Sequence, residues 1–265
     1  MKRLATLCAA IALTAAPALA GSNLIRLTDR DDLFGWEAVG KVEIGDTGYC
    51  TGALIAPDLV LTAAHCVYDD AGRPRVPTDL TFSAGLRDGA FISQRDVSAI
   101  AVHRGYEPDG PLNGANIRND VALLRLARPI PAATASPFAL ARGAGGRKIS
   151  VVSYGQGRDD ALSWQRDCGV IGAQEGLMAF DCDVTFGSSG APVFVREGGR
   201  ARILSLISGG GEWNGGRVAY GMALPEVVER LKRNLRSSPT PASSGARRIR
   251  VGQGGGASGA KFAKP

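Results

Sequence analysis

Apolar positions along this chain come in short, β-branched runs, each closed off by Gly, Pro or Asp. The clearest are Leu59–Thr62, Ser98–Val102, Val121–Leu126, Lys148–Ser153, Pro192–Val195, Ile203–Ile207 and Val218–Met222. Runs of this length separated by turn residues predict strands, and a long succession of them predicts an all-β sandwich or barrel. Helical periodicity is convincing once. Pro225 suits a first helical position, and Val227, Val228, Leu231 and Leu235 then fall on one stripe near the C-terminus. No internal repeat stands out.

Both ends break this pattern. Lys2 and Arg3 precede an apolar run from Leu4 to Ala16, and Ala18-Leu19-Ala20 places small residues at the cleavage positions. Residues 1–20 are therefore expected to be a secretory signal peptide. The run is too short, and too interrupted by Pro17, to span a bilayer; a buried N-terminal helix is the competing reading. No later segment is long and apolar enough to be a transmembrane helix. At the other end, Ser237-Ser238-Pro239-Thr240-Pro241 opens a stretch of Ser, Pro, Gly, Ala and Arg with Phe262 as its only aromatic. Such a composition buries too little surface to offset the entropy of ordering, so residues 237–265 are expected to be disordered. Residues 21–236 remain as one domain, ample for a buried core.

Charge follows the same division. The chain carries a net +6, yet between Gly21 and Leu235 there are 23 basic and 25 acidic residues. The excess lies in Arg236, Arg247, Arg248, Arg250, Lys261 and Lys264, with no acid among them. A nearly neutral body gives no ground for a nucleic-acid partner. With Cys8 in the leader, four cysteines remain: Cys50, Cys66, Cys168 and Cys182. Export makes pairing the default, with three pairings open. Zinc is the competing use of four cysteines, and the absence of any C-x2-C pair argues against it. No cofactor or metal is expected.

The chemistry concentrates in three places. Thr62-Ala63-Ala64-His65-Cys66 sets one of only two histidines behind a strand and small residues, with a cysteine directly after it. A bridge from Cys66 to Cys50 would close a short loop and fix the imidazole, as a working base requires. Phe186-Gly187-Ser188-Ser189-Gly190-Ala191-Pro192 is the second. A serine hydroxyl needs a base to become a nucleophile, and the oxyanion it creates needs donors already in place. Gly187 allows a backbone twist that aims its own N–H and that of Ser189 at one point, and Gly190 leaves room for a substrate. Taken alone, this is also the composition of an ordinary Ser/Gly loop. An α/β-hydrolase elbow would need Gly-x-Ser-x-Gly between strand and helix, whereas Pro192 and a strand-like Val193-Phe194-Val195 follow here. The third is Asn119-Asp120, at the mouth of the apolar run Val121–Leu126, where an acid could orient the histidine. Its plainer use is to start a strand. Asp79, Asp96 and Asp109 read as polar-loop residues.

Thr62–Cys66, Asp120–Leu124 and Gly187–Pro192, in the order His, Asp, Ser, resemble the three signatures of the chymotrypsin/trypsin-like serine peptidases, over about residues 33–235. The chain is closer to the bacterial, staphylococcal V8-like branch than to digestive trypsins. The resemblance implies two packed antiparallel β-barrels with a catalytic His65, Asp120 and Ser189 in the cleft between them. It also implies an oxyanion hole from the Gly187 and Ser189 amides, a Cys168–Cys182 bridge near the specificity pocket, and a substrate-binding strand edge at Ser208-Gly209-Gly210. Two departures stand out. Ser188 occupies the place where animal members carry an acid that receives a new N-terminal amine, and no Arg/Lys-Ile-Val-Gly-Gly start lies near residue 21. Gly209 replaces a usual large aromatic. Asp183 lies six residues before Ser189, the offset of the pocket acid in trypsins, which implies cleavage after Arg or Lys; the plainer reading is that it braces the Cys182 loop. Ile207 stands where glutamyl-specific relatives have a histidine. The expectation is a monomeric, secreted or periplasmic serine endopeptidase acting on protein or peptide substrates. A silent binding module and an esterase are the alternatives.

Removing residues 237–265 is expected to leave hydrolysis of a tripeptide unchanged. A truncated chain that fails to fold, or loses that activity, would show the tail to be structural.

Overall fold

The computed structural model describes residues 24–143, 146, 148–213 and 215–237. The proposed signal peptide, and the proposed tail beyond Ser237, lie outside the described residues. The first element is a short strand, β1 (Leu24–Arg26). Six strands then follow: β2 (Val39–Ile44), β3 (Gly48–Ala56), β4 (Leu59–Thr62), β5 (Leu80–Ala84), β6 (Ser93–Val102) and β7 (Ala122–Leu126). All pair antiparallel, in the order β2-β3-β4-β7-β6-β5, and close into a barrel. Leu54, Leu61, Leu80, Phe82, Leu123 and Leu124 on these strands have essentially no exposure, packed on one face of the barrel wall or the other. A one-turn-and-a-half helix, α1 (Gly114–Asn119), precedes β7 and is capped by Asn113, whose side chain accepts from the Asn116 N–H at 2.9 Å.

The second half contributes β8 (Lys148–Gly155), β9 (Arg158–Gln174), β10 (Leu177–Phe180), β11 (Pro192–Glu197), β12 (Arg200–Trp213) and β13 (Gly216–Met222). Their order is β9-β10-β13-β12-β11-β8, with β1 on the outer side of β9, and β8 pairs back onto β9 so that the six form a second ring. Helix α2 (Pro225–Ser237) returns to the first barrel. It buries the predicted stripe Val227, Val228, Leu231 and Leu235, and Arg125 of β7 donates to the Leu235 carbonyl at 2.7 Å.

Two antiparallel barrels and a C-terminal helix are thus present, and each of the seven predicted runs falls in a strand, save Val121, which lies one residue before β7. Several elements differ from expectation. Ser237 is the last helical residue rather than the start of a tail, and Asp96 lies within β6 opposite Thr81, not in a loop. Strands β1, β2, β3, β5, β9 and β10 and helix α1 had no counterpart among the predicted elements.

Burial runs continuously from the first barrel into Tyr154, Leu162, Phe194 and Leu206 of the second. Trp36, in the segment before β2, anchors this junction. Its ring lies 4.9 Å from Phe194, 5.1 Å from Trp164 and 6.1 Å from Phe138, and Phe138 and Phe194 stack at 4.6 Å. Such clusters combine a large buried area with favourable tilted contacts. Phe194→Ala should lower unfolding free energy by about 3–5 kcal/mol in urea titrations. A loss below about 1 kcal/mol would show that the cluster does not hold the junction.

Candidate active site

The cleft between the barrels has a volume of about 890 Å³. Strand β4 ends at Thr62, and the chain turns through Ala63 and Ala64, both fully buried, into a 3-10 turn that begins at His65. In a close-packed interior, a larger side chain at either position would have to displace its neighbours. A disulfide joins Cys66 to Cys50 of β3 with their Cα atoms 6.2 Å apart, tying the histidine turn to the barrel wall. Asp120 leaves the end of α1 and is almost completely buried.

A buried carboxylate is costly unless its oxygens are satisfied. Three donors meet this one. The His65 backbone N–H bonds Oδ1 at 2.9 Å, His65 Nδ1 lies 2.8 Å from Oδ2, and the Ser208 hydroxyl of β12 donates to Oδ2 at 2.5 Å. This selects the tautomer of His65 with its proton on Nδ1, leaving Nε2 free to accept. Burial disfavours the imidazolium, but the charge of Asp120 and its hydrogen bond together outweigh it, so the His65 pKa lies above its ordinary 6.5.

Ser189 sits across the cleft, in the turn between Cys182 and β11. The segment 183–189 is suspended from several sides. Gln165 Oε1 accepts from the Asp183 N–H at 2.7 Å, Gln156 N–H bonds the Phe186 carbonyl at 2.8 Å, and Arg217 reaches the Val184 carbonyl at 3.4 Å. Thr51 of the first barrel does most. Its hydroxyl donates to the Gly187 carbonyl at 2.8 Å and accepts from the Tyr154 N–H at 3.0 Å, while its N–H bonds the Ser189 carbonyl at 2.8 Å. Gly187 has φ +85° and Gly190 φ +76°, the left-handed region that favours glycine. Neither the Gly187 nor the Ser189 N–H is taken by a partner among the described residues.

The two glycines also serve close packing. A Cβ on Gly187 would fall 2.1 Å from the Tyr49 ring, and one on Gly190 would fall 2.3 Å from both the Thr51 carbonyl and Thr62 Oγ1. Gly190 was expected to leave space for a substrate. Its missing side chain instead lets the first barrel's backbone approach the turn.

His65, Gly187, Ser189, Asp183, Ser208 and Gly210 all line the one cleft, with Asp120 behind the histidine. Asp183 is exposed to it, as are Glu212 and Arg217. A side pocket of about 240 Å³ opens beside His65 under Tyr106, Leu112 and Asn116. The second disulfide joins Cys168 and Cys182 beneath the cleft wall. With both pairs oxidised, no thiolate is left for the zinc reading. Sequence reading missed the Ser208 bond to Asp120 and the part played by Thr51, Gln156, Gln165 and Tyr49. Thr51 stood within the quoted Tyr49–Ile55 run, but nothing local marks it as a bridge.

A fold of two barrels with His, Asp and Ser gathered at their junction defines the trypsin-like class. The trypsin family model matches residues 29–225, and the chain belongs to that family. It is 36% identical to the vitellin-degrading protease of Bombyx mori over 112 residues, covering 40% of this chain and 37% of that protein. With a glutamyl endopeptidase of Bacillus licheniformis it shares 28% over 156 residues, 58% of this chain and 47% of the relative. The chain thus spans less than half the length of these curated relatives. Among solved structures, a Glu endopeptidase superposes with TM-score 0.67 at 17% identity, covering 83% of this chain and 99% of that one. The protease Anisep of Arthrobacter nicotinovorans gives 0.61 at 18%, covering 76% and 96%. At these identities the structural likeness concerns the fold.

The two imidazoles should separate in an NMR pH titration. His65 should titrate above 6.5, and His103, held down by burial and by the charge of Arg230, below it. Asp120→Asn should bring the upper signal down. A raised folded-state pKa also means that the His65 contribution to stability is full below its unfolded value and is lost as pH rises through the folded midpoint. Two signals titrating together at or below 6.5 would contradict this electrostatic arrangement.

Proposed function

We propose that this chain is an exported serine endopeptidase that cleaves through an acyl-enzyme. The observation that carries this reading is the arrangement around Asp120: it holds His65 by Nδ1, and His65 shares a cleft with Ser189 and the unpartnered Gly187 and Ser189 N–H groups. In the proposed first step, His65 Nε2 accepts the Ser189 proton as Oγ attacks the substrate carbonyl, and the two N–H groups bind the oxyanion. Collapse breaks the peptide bond, and the amine leaves with the proton from His65. Water then attacks the ester, giving its proton to His65, and Ser189 recovers it as the acid product departs. All these groups belong to one chain, which suits a monomer. Two disulfides suit an oxidising compartment, secreted or periplasmic.

For the residue before the scissile bond, the reading is Arg or Lys, because Asp183 faces the cleft and forms no ion pair among the described residues. Ser208 and Gly210 would bind the substrate backbone along the edge of β12. A second reading, an acidic preference, is favoured by Arg217 in the same cleft and by the likeness to glutamyl endopeptidases. Ile207, in the histidine position of glutamyl-specific relatives, weighs against it.

Ser189→Ala and His65→Ala should abolish hydrolysis with the fold intact, and Asp120→Asn should lower turnover about ten-thousandfold. A fluorophosphonate that fails to label Ser189 would favour a silent binding module, and a chain that cleaves esters but no peptide would favour an esterase. A peptide-library digest reads the preference. Arg- or Lys-ending products lost in Asp183→Ser support the basic reading, whereas Glu-ending products lost in Arg217→Ala replace it with the acidic one.

A further inference from the structure

We propose that Arg158 is a positioning residue for the turn that carries Gly187 and Ser189, acting through the hydroxyls of Ser153 and Ser188. The proposal rests on the peptidase reading above and deepens it. Arg158 opens β9, just past the Gln156-Gly157 turn, and its half-buried side chain folds back over Gly155. A Cβ on Gly155 would fall 2.6 Å from the guanidinium carbon, so the missing side chain is what admits the guanidinium. Nη1 donates to the Ser153 carbonyl at 3.2 Å, and Nη1 and Nη2 reach Ser153 Oγ at 3.4 and 3.5 Å.

A guanidinium only donates. Ser153 Oγ therefore accepts from Arg158, and it shares a hydrogen bond with Ser188 Oγ, 3.3 Å away, in which either hydroxyl can donate. Ser188 is fully buried and directly precedes Ser189. Its Oγ also accepts from the Thr185 N–H at 3.4 Å, and its N–H bonds the Thr185 carbonyl at 2.9 Å. The result is a continuous chain of hydrogen bonds from the guanidinium into the turn. The same hairpin grips the turn a second time through Gln156 N–H and the Phe186 carbonyl. Arg158 forms no ion pair within 4 Å among the described residues; burial works against its charge, and the nearby charge of Asp183 works for it.

The test uses the full chain and a fluorophosphonate probe, which needs no knowledge of substrate preference. Ser189 Oγ bonds phosphorus, fluoride leaves, the serine proton passes to His65, and a phosphoryl oxygen takes the place of the oxyanion. Arg158→Met should lower the maximal labelling rate about tenfold or more, with the half-saturating probe concentration unchanged. Gly155→Ala, which displaces the guanidinium and keeps its charge, should do the same. Arg158→Lys should label near the wild-type rate at neutral pH and lose rate in the alkaline range, because burial depresses an ammonium pKa while a guanidinium stays charged. Should Arg158→Met fail to fold, the other two variants decide. Wild-type labelling rates in Gly155→Ala, or an Arg158→Lys profile without the alkaline loss, would overturn the proposal. A wild-type protein that does not label, or labels equally in Ser189→Ala, removes the peptidase reading and this proposal with it.

Discussion

The junction of the two barrels turns on the carboxylate of Asp120. It is nearly inaccessible to water, and its charge is tolerated because three donors from separate places converge on it. Two come from the His65 turn of the first barrel, and the third is Ser208 on β12 of the second. Undocking the barrels would strip away the Ser208 bond, and removing any one donor would leave a buried charge poorly satisfied, a far larger penalty than an ordinary hydrogen bond. Stability and geometry are coupled here: the docking that satisfies the acid is the docking that closes the cleft.

Thr51 is the counterpart on the other wall. It belongs to the first barrel, yet both its hydroxyl and its N–H are spent on carbonyls of the turn around Ser189. Tyr49, two residues before it on the same strand, fills the space left by Gly187, and Lys41 caps the ring at 4.2 Å. Each barrel thus braces the working residue of the other: the second holds the acid behind His65, and the first holds the backbone of Ser189. With the Trp36 cluster supplying the apolar contact, the barrels have little freedom to shift relative to one another.

What could be read from the sequence follows from this division. His65 and Ser189 sit in short motifs whose small residues have local causes, fully buried alanines in one case and left-handed glycines in the other. Asp120 was legible because an acid at the head of an apolar strand needs a reason. The bridges were not legible, since Thr51, Ser208 and Arg158 acquire their partners only when segments far apart in sequence dock. Strand β9 escaped for another reason. Ala161, Leu162 and Ser163 are buried in succession between sheet neighbours on both sides, so the alternation that marks a half-exposed strand is absent. Gly190 was noticed but given the wrong cause, because a missing side chain looks the same in sequence whether a substrate or another strand approaches it.

On the proposed function, substrate preference draws on the same segment as catalysis. Residues 183–189 line the cleft at one end and present the two free N–H groups at the other, with the chain pinned at Asp183 by Gln165, at Phe186 by Gln156, and at Gly187 and Ser189 by Thr51. A strip fixed at this many points has little freedom to relax independently at either end. On the proposed reading, a side chain that seats well against Asp183 or Arg217 would help to aim the donors that matter only when the oxyanion forms, so that binding energy gained in the pocket would be expressed in the transition state. A poorly fitting side chain would disturb those donors even while bound. On the proposed mechanism, discrimination would belong chiefly to the chemical step, with the pocket and the oxyanion donors as two ends of one structural element.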